Sequence, residues 1–216
     1  MKLVGAVLGL VARIFFGSDW RLFSETILSE HRAHLQSRAP ISPLAVECLV
    51  AAEDSRFHYH YGVDLTALMR VLWRFAISGI REGASTIEQQ LVRTVTGNRE
   101  RTLARKAKEI MLASALRTIL QKREIADLYL KLAYFGWRMN GYDAACTRLA
   151  IDKSEMTKRQ AANLIARLKY PEPKASSAAR TALILRRSEH IVRLLMIDEP
   201  LARQAPNRTQ ELVDVD

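Results

Sequence analysis

The sequence predicts an all-α fold. Apolar residues recur at helical spacing through most of the chain, and caps or breakers bound each stretch. No run alternates apolar and polar residues over a useful length, so strands are not expected. Glycine (9) and proline (6) are scarce among 216 residues, too few for the turns of a β-sandwich.

The elements follow in order. Met1-Lys2 precede an apolar run from Leu3 to Ala12, then Arg13 and Ile14-Phe15-Phe16. This reads as a short charged region followed by an apolar one. It is shorter than the roughly 20 residues needed to cross a hydrocarbon core. A marginal anchor, a signal peptide and an amphipathic segment on the membrane surface all fit it. No A-x-A cleavage pattern follows, which counts against removal. Gly17 to Pro40 is mixed and polar, and reads as a connector.

Ser42-Pro43 is a candidate N-cap and N1 pair for a helix from Leu44 to about Ala52. Asp64 precedes Leu65, Leu68, Met69, Leu72, Trp73, Ala76 and Ile80, all at helical spacing. Ser85 to Glu88 forms a capping-box pattern for a helix to about Val95, ended by Gly97-Asn98. Further helices are expected from Glu100 to Leu120 and from Glu124 to Phe135, with Gly136 as a C-cap candidate. Thr157 to Gln160 is a second capping box, opening a helix that stops at Pro171. Ser177 opens a last helix through about Met196.

The length fits one domain with short appendages: an apolar segment 1–17, a connector 18–40, a main domain 41–199 and a polar tail 200–216. Hydrophobic residues make up 49% and charged residues 26%, which fits a folded domain and excludes a mostly disordered chain. No stretch reaches the length of a transmembrane helix, which excludes a polytopic membrane protein. Cys48 and Cys146 form no metal-type or disulfide framework. The net charge of +10 points to an anionic partner: nucleic acid, an acidic membrane or a phosphorylated substrate.

Three constellations can carry chemistry. The first runs from Glu53 and Asp54 through Arg56, Phe57, His58 and His60 to Gly62 and Asp64. Glu53 follows Leu49, Val50, Ala51 and Ala52, so apolar neighbours are expected, and burial makes a carboxylate a better proton acceptor. A helix-end carboxylate paired with Arg56 explains Glu53 equally. His58 and His60, with Asp54 or Asp64, also form a weak metal-ligand pattern.

The second holds Gly83, Ser85, Thr86, Glu88, Gln89, Gln90 and Arg93. A helix start exposes N–H groups and favours anions, and the glutamines suit a sugar. Ser85 and Glu88 are equally explained as a cap. The third places Arg101, Arg105 and Lys108 at i, i+4 and i+7, with Lys106 and Glu109 beside them. Such a face can hold a pyrophosphate, contact nucleic acid or simply be solvated, and Glu109 can be an i,i+4 partner of Arg105.

Together these segments resemble glycosyltransferase family 51, the peptidoglycan glycosyltransferase domain of penicillin-binding proteins and of monofunctional enzymes. The family pattern E-D-x-x-F-x-x-H-x-G-x-D falls on Glu53 to Asp64. G-x-S-T-x-x-Q-Q-L falls on Gly83 to Leu91, and R-x-x-x-R-K-x-x-E on Arg101 to Glu109. A fourth pattern is echoed by Lys122, Ile125, Tyr129 and Leu130 with Phe135-Gly136, and a fifth, basic one by Arg186-Arg187. The resemblance covers about Leu44 to Leu195, and the short chain looks like the monofunctional type.

The resemblance implies a lysozyme-like domain on the outer face of the bacterial cytoplasmic (inner) membrane. It implies polymerisation of lipid II into β-1,4-linked glycan, with release of undecaprenyl pyrophosphate. Glu53 would be the general base and Glu109 the second catalytic carboxylate, beside the leaving pyrophosphate. Asp54, Phe57, His60, Gly83, Ser85, Thr86, Gln89, Gln90, Arg93, Arg101, Arg105 and Lys106 would form the substrate-binding set. Mg²⁺ is expected with the pyrophosphate near Glu109, and no organic cofactor. Expected partners are lipid II, the lipid-linked glycan, the membrane and other cell-wall synthesis proteins, not nucleic acid. The helix from Leu65 to Ile80 would form a membrane-embedded lip.

Several positions depart from the family. Arg93-Thr94 stands for Lys-Asn, Lys131 for the Asn of Y-L-N, and Ala126 for Leu. Cys146 to Lys153 lacks the usual aromatic–glycine pair. Rival readings are a peptidoglycan-cleaving lytic transglycosylase or lysozyme relative, a catalytically weakened cell-wall scaffold, and a basic nucleic-acid-binding module.

Overall fold

A computed structural model describes residues 2–37, 40–79, 83–98, 100, 102–175 and 177–203. These residues are mostly helical. The helices are α1 (Lys2–Phe15), α2 (Gly17–Gln36), α3 (Pro43–Glu53), α4 (Leu65–Ser78), α5 (Ile87–Thr96), α6 (Leu103–Leu116), α7 (Lys122–Leu132), α8 (Tyr142–Arg148), α9 (Lys158–Lys169) and α10 (Ala178–Arg203). Two short strands, β1 (Tyr134–Gly136) and β2 (Met139–Asn140), pair antiparallel between α7 and α8.

Two interlocked layers form the body. Helix α5 packs between α6 and α7, while α9 packs between α3 and α10. Leu49, Ile87, Leu91, Leu112, Ile125, Leu128 and Ile165 are fully or almost fully buried in their shared core. Helix α7 joins that core through one apolar stripe, burying Ile125, Ala126, Leu128, Tyr129 and Leu130. Helix α1 lies along α6, its inward residues Gly9 and Ala12 small enough for close approach.

Several expectations need correction. The segment read as a connector is the 20-residue helix α2, which buries Phe23 and Ile27 and packs on α5 and α7. Gly136 is not a helix cap: α7 ends at Leu132, and Gly136 lies in β1. The short hairpin was not expected, because its strands have 3 and 2 residues, too few to show alternation. Ser42 takes the N-cap place before Pro43 but makes no side-chain cap bond; its backbone N–H donates to the Tyr142 hydroxyl at 3.2 Å. Thr157 and Gln160 do form the reciprocal box at the start of α9. The polar tail beyond Arg203 lies outside the described residues.

Among the described residues, no helix is long and apolar enough to cross a membrane. Two helices nevertheless expose large apolar side chains: Val7, Leu10, Ile14 and Phe15 on α1, and Met69, Trp73, Phe75 and Ile77 on α4.

Candidate active site

Glu53 is the last residue of α3, where the apolar run Leu49 to Ala52 delivers it to the edge of the core. Its side chain is 19% exposed. One oxygen accepts from the Gln90 side-chain amide at 3.3 Å. The other lies 3.3 Å from Nη2 of Arg187 on α10, which also donates to the Ala52 carbonyl at 2.6 Å. The Tyr129 hydroxyl donates to Gln90 Oε1 at 2.7 Å, so the Gln90 amide turns its NH₂ toward Glu53. Arg56 is not the partner of Glu53: its Nε lies 3.0 Å from Asp64.

Beneath Glu53 lies a buried polar layer. The expected ligand contacts Asp54, Phe57 and His60 belong here, at 8%, 0% and 3% exposure, and touch one another rather than open space. His60 Nε2 sits 3.0 Å from both Asp54 oxygens. Asp54 also accepts the Ile87 backbone N–H at 3.1 Å, tying the end of α3 to the start of α5. Gly62 passes against α6 at φ 84°, where a Cβ would lie 2.5 Å from the Ala113 carbonyl oxygen. Thr86 donates to the Gly62 carbonyl at 2.8 Å and caps α5 by accepting from Gln89 N–H at 3.3 Å.

Thr86, not Ser85, is therefore the α5 cap, and Glu88 is not a capping residue. Glu88 is fully buried, and Lys122, the first residue of α7, reaches its Oε1 at 2.5 Å. The Lys122 ammonium also lies 4.2 Å from the Phe57 ring centroid. Burial pushes the Lys122 pKa below its ordinary value, with Glu88 opposing. The expected His58–His60 metal pair does not form. Asp54, His60 and Glu88 do bring ligand atoms within 4.8 Å of one another, but Lys122 already supplies the positive charge there.

The third cluster surrounds Glu109 on α6, which is 3% exposed. Arg105 pairs with one oxygen, Lys106 Nζ with the other at 2.7 Å, and Arg93 Nε approaches at 3.4 Å. Lys106 also donates to Gln89 Oε1 at 2.6 Å and to Ser85 Oγ at 3.2 Å. Three cations thus share one carboxylate. Burial pushes the Glu109 pKa up, but the Lys106 hydrogen bond and the charges of Lys106, Arg93 and Arg105 outweigh it and hold it low. Burial lowers Lys106, against the pull of Glu109. Arg101 lies outside the described residues, and Lys108 turns away to pair with Asp19 at 2.7 Å. At Gly83 a Cβ would meet nothing within 4 Å, so packing does not demand glycine there.

Helix α5 links the two carboxylates through adjacent residues: Gln90 touches Glu53, and Gln89 touches the Lys106–Glu109 cluster. A proton acceptor therefore stands at one end of the site and a patch with excess positive charge at the other. Sequence reasoning named both ends but missed Arg187 and Tyr129 as contacts. Their signals were the tandem Arg186-Arg187 and the tyrosine of the fourth pattern.

The transglycosylase family matches residues 21–195. Penicillin-binding protein 1A of Haemophilus influenzae is 36% identical over 190 residues, 85% of this chain and 21% of that protein. Penicillin-binding protein 1A of Escherichia coli is 45% identical over 106 residues, 49% of this chain and 12% of that protein. Penicillin-binding protein 1F of Bacillus subtilis is 35% identical over 118 residues, 52% of this chain and 16% of that protein. The chain thus spans about a fifth or less of the length of these relatives.

Proposed function

The chain belongs to the transglycosylase family, and from that premise we propose that it is a peptidoglycan glycosyltransferase with a lysozyme-like fold, polymerising lipid II. The observation that carries this reading is the pairing, across Gln89 and Gln90, of the partly buried Glu53 carboxylate with a cluster of three cations around Glu109.

Glycosyl transfer from a diphosphate donor needs a base for the acceptor hydroxyl and positive charge for the leaving group. Glu53 takes the proton from the 4-hydroxyl of the acceptor sugar. That oxygen attacks the donor's anomeric carbon, and the bond to the pyrophosphate oxygen breaks with its electron pair. The α-linkage becomes β. Arg93, Arg105 and Lys106 receive the departing pyrophosphate, while Glu109 holds the three cations together and orients them.

A resident Mg²⁺ does not fit the described residues: Glu109 is the one carboxylate of the cluster, and cations already occupy its oxygens. In our reading Mg²⁺ enters only as the counter-ion of the substrate's diphosphate. A cleaving enzyme of the lysozyme type has no use for a cationic leaving-group site, so the cluster favours synthesis.

The exposed apolar faces of α1 and α4 support a seat on a membrane surface, which in this reading is the outer face of the cytoplasmic membrane. The basic charge supports attraction to its anionic lipids. The test is glycan polymerisation from labelled lipid II by the purified chain in detergent with Mg²⁺. Polymer formation supports the reading. Cleavage of lipid-free glycan without polymer formation would replace it.

A further inference from the structure

A cavity of about 310 Å³ opens where the end of α8, the face of α9 and the first turns of α10 meet the loop after α9. Its lining carries four cations, Arg148, Arg167, Lys174 and Arg180, and one carboxylate, Glu172. Among the described residues, none of the five is hydrogen-bonded to Glu53 or Glu109.

The floor of the cavity is fixed and neutral. The Glu172 backbone N–H donates to the Phe135 carbonyl at 3.1 Å, and its carbonyl accepts from Trp137 N–H at 2.8 Å, which sews the loop to β1. The Glu172 carboxylate is spent on Arg167, accepting from Nε at 2.9 Å and lying 2.8 Å from Nη2. Arg167 is buried, and its Nη1 donates to the carbonyl and Oδ1 of Asn163 at 2.7 and 2.6 Å.

Above that floor three cations keep their charge. Arg148 stands 3.9 Å from Glu172, beyond hydrogen-bond range, with its guanidinium 4.9 Å from the Trp137 ring centroid. Arg180 lies 6.0 Å from the Tyr170 ring centroid. Neither Arg180 nor Lys174 pairs with a carboxylate among the described residues. Two neutral donors line the same space. Asn163 turns its Oδ1 to Arg167, which leaves its NH₂ to donate. Ser177 Oγ accepts the Arg180 N–H at 3.3 Å, which leaves its O–H to donate.

We propose that this cavity is an anion site apart from the Glu109 cluster, and that it takes a phosphate dianion, free or at the end of a small monoester. Three uncompensated cations suit two negative charges better than the single charge of a carboxylate or a phosphodiester. The cations arrive from α8, the loop and α10, so they meet the several oxygens of a tetrahedral phosphate rather than the two of a flat carboxylate. The volume is at the low end of small-molecule sites, which suits one phosphate with a short alcohol. The site stands whether or not the Glu109 cluster receives a leaving group. It nonetheless shares α10 with the candidate active site, since Arg187, two turns beyond Arg180, holds Glu53.

The test is a titration followed by nuclear magnetic resonance at the Trp137 indole N–H, which sits beside Arg148 and reports on this cavity alone. The signal is assigned by its loss in Trp137→Phe. The ligands are inorganic phosphate, glycerol 1-phosphate, glycerophosphoglycerol and acetate, at pH 8 and constant ionic strength. Inorganic phosphate or glycerol 1-phosphate should shift the signal saturably, and the tighter of the two identifies the free ion or the ester as the ligand. The diester and acetate should bind at least about tenfold more weakly. The double variant Lys174→Gln/Arg180→Gln should weaken phosphate binding by about tenfold or more, the scale of charge-assisted hydrogen bonds. Arg93→Ala/Arg105→Ala should leave the titration within about twofold. No saturable shift with either dianion overturns the proposal. So does an unchanged midpoint in Lys174→Gln/Arg180→Gln, or equal affinity for acetate. Loss of the shift in Arg93→Ala/Arg105→Ala also overturns it, because the signal then reports binding at the Glu109 cluster.

Discussion

Arg187 and Glu53 lie 134 positions apart in the chain, yet Nη2 of one sits 3.3 Å from a carboxylate oxygen of the other. The same nitrogen holds the Ala52 carbonyl at 2.6 Å, so Arg187 fastens both the last turn of α3 and the carboxylate it carries. Arg187→Ala is expected to lower polymerisation by about tenfold or more, since a hydrogen bond to a charged group is worth about 1.5–3 kcal/mol. Diphosphate binding should stay within about twofold, because Arg187 is not part of the Glu109 cluster. Equal losses in both assays would mean that Arg187 supports the fold at large rather than Glu53.

Arg93→Ala and Arg105→Ala are each expected to weaken diphosphate binding by about tenfold, the scale of a charge-assisted hydrogen bond. Binding of an uncharged saccharide should change little. Titration of both ligands checks this, and parallel losses for the two would show that these arginines shape the site without contacting phosphate.

The Glu88–Lys122 pair is fully inside the protein on the Glu88 side, and Glu88 Oε2 has no hydrogen-bond partner. Lys122→Met leaves a buried carboxylate uncompensated and should cost about 3–5 kcal/mol in urea unfolding. Adding Glu88→Gln removes the stranded charge and should recover a substantial part of that loss. A double variant no more stable than Lys122→Met would show that the pair is not coupled.

Helix α1 meets α6 through small residues and turns Val7, Leu10, Ile14 and Phe15 outward. None of its described residues belongs to the main core cluster, so a chain lacking residues 1–16 should fold and keep activity while binding anionic vesicles less strongly. Co-sedimentation of both forms with vesicles reads this out. Identical partitioning would show that α1 is no membrane element, and loss of soluble folded protein would make it a core helix.

The sequence disclosed the helical class and the residues at both ends of the site because strict spacing carried them. Glu53, Gln89-Gln90 and Arg105-Lys106-Glu109 keep their distances along the chain whatever the fold. What it hid depends on tertiary packing. Glu88 has the spacing of a cap to Ser85, and only the arrival of Lys122 from α7 turns it into a buried ion-pair partner. The resemblance implied Asp54 and His60 as ligand contacts, yet they join each other below Glu53. Helix α2 escaped because it buries only Phe23 and Ile27, an apolar stripe two residues long amid polar neighbours.

The most direct measurement of the central claim is single-turnover polymerisation of labelled lipid II by the full chain and by Glu53→Gln, with folding of both followed by circular dichroism. The amide has the shape of the carboxylate but does not accept a proton at neutral pH. The account predicts glycan polymer from the full chain and a loss of about a hundredfold or more in the variant, the contribution of a positioned base, at unchanged helicity. A well-folded Glu53→Gln variant that keeps more than about a tenth of the turnover would contradict the assignment of Glu53 as the base.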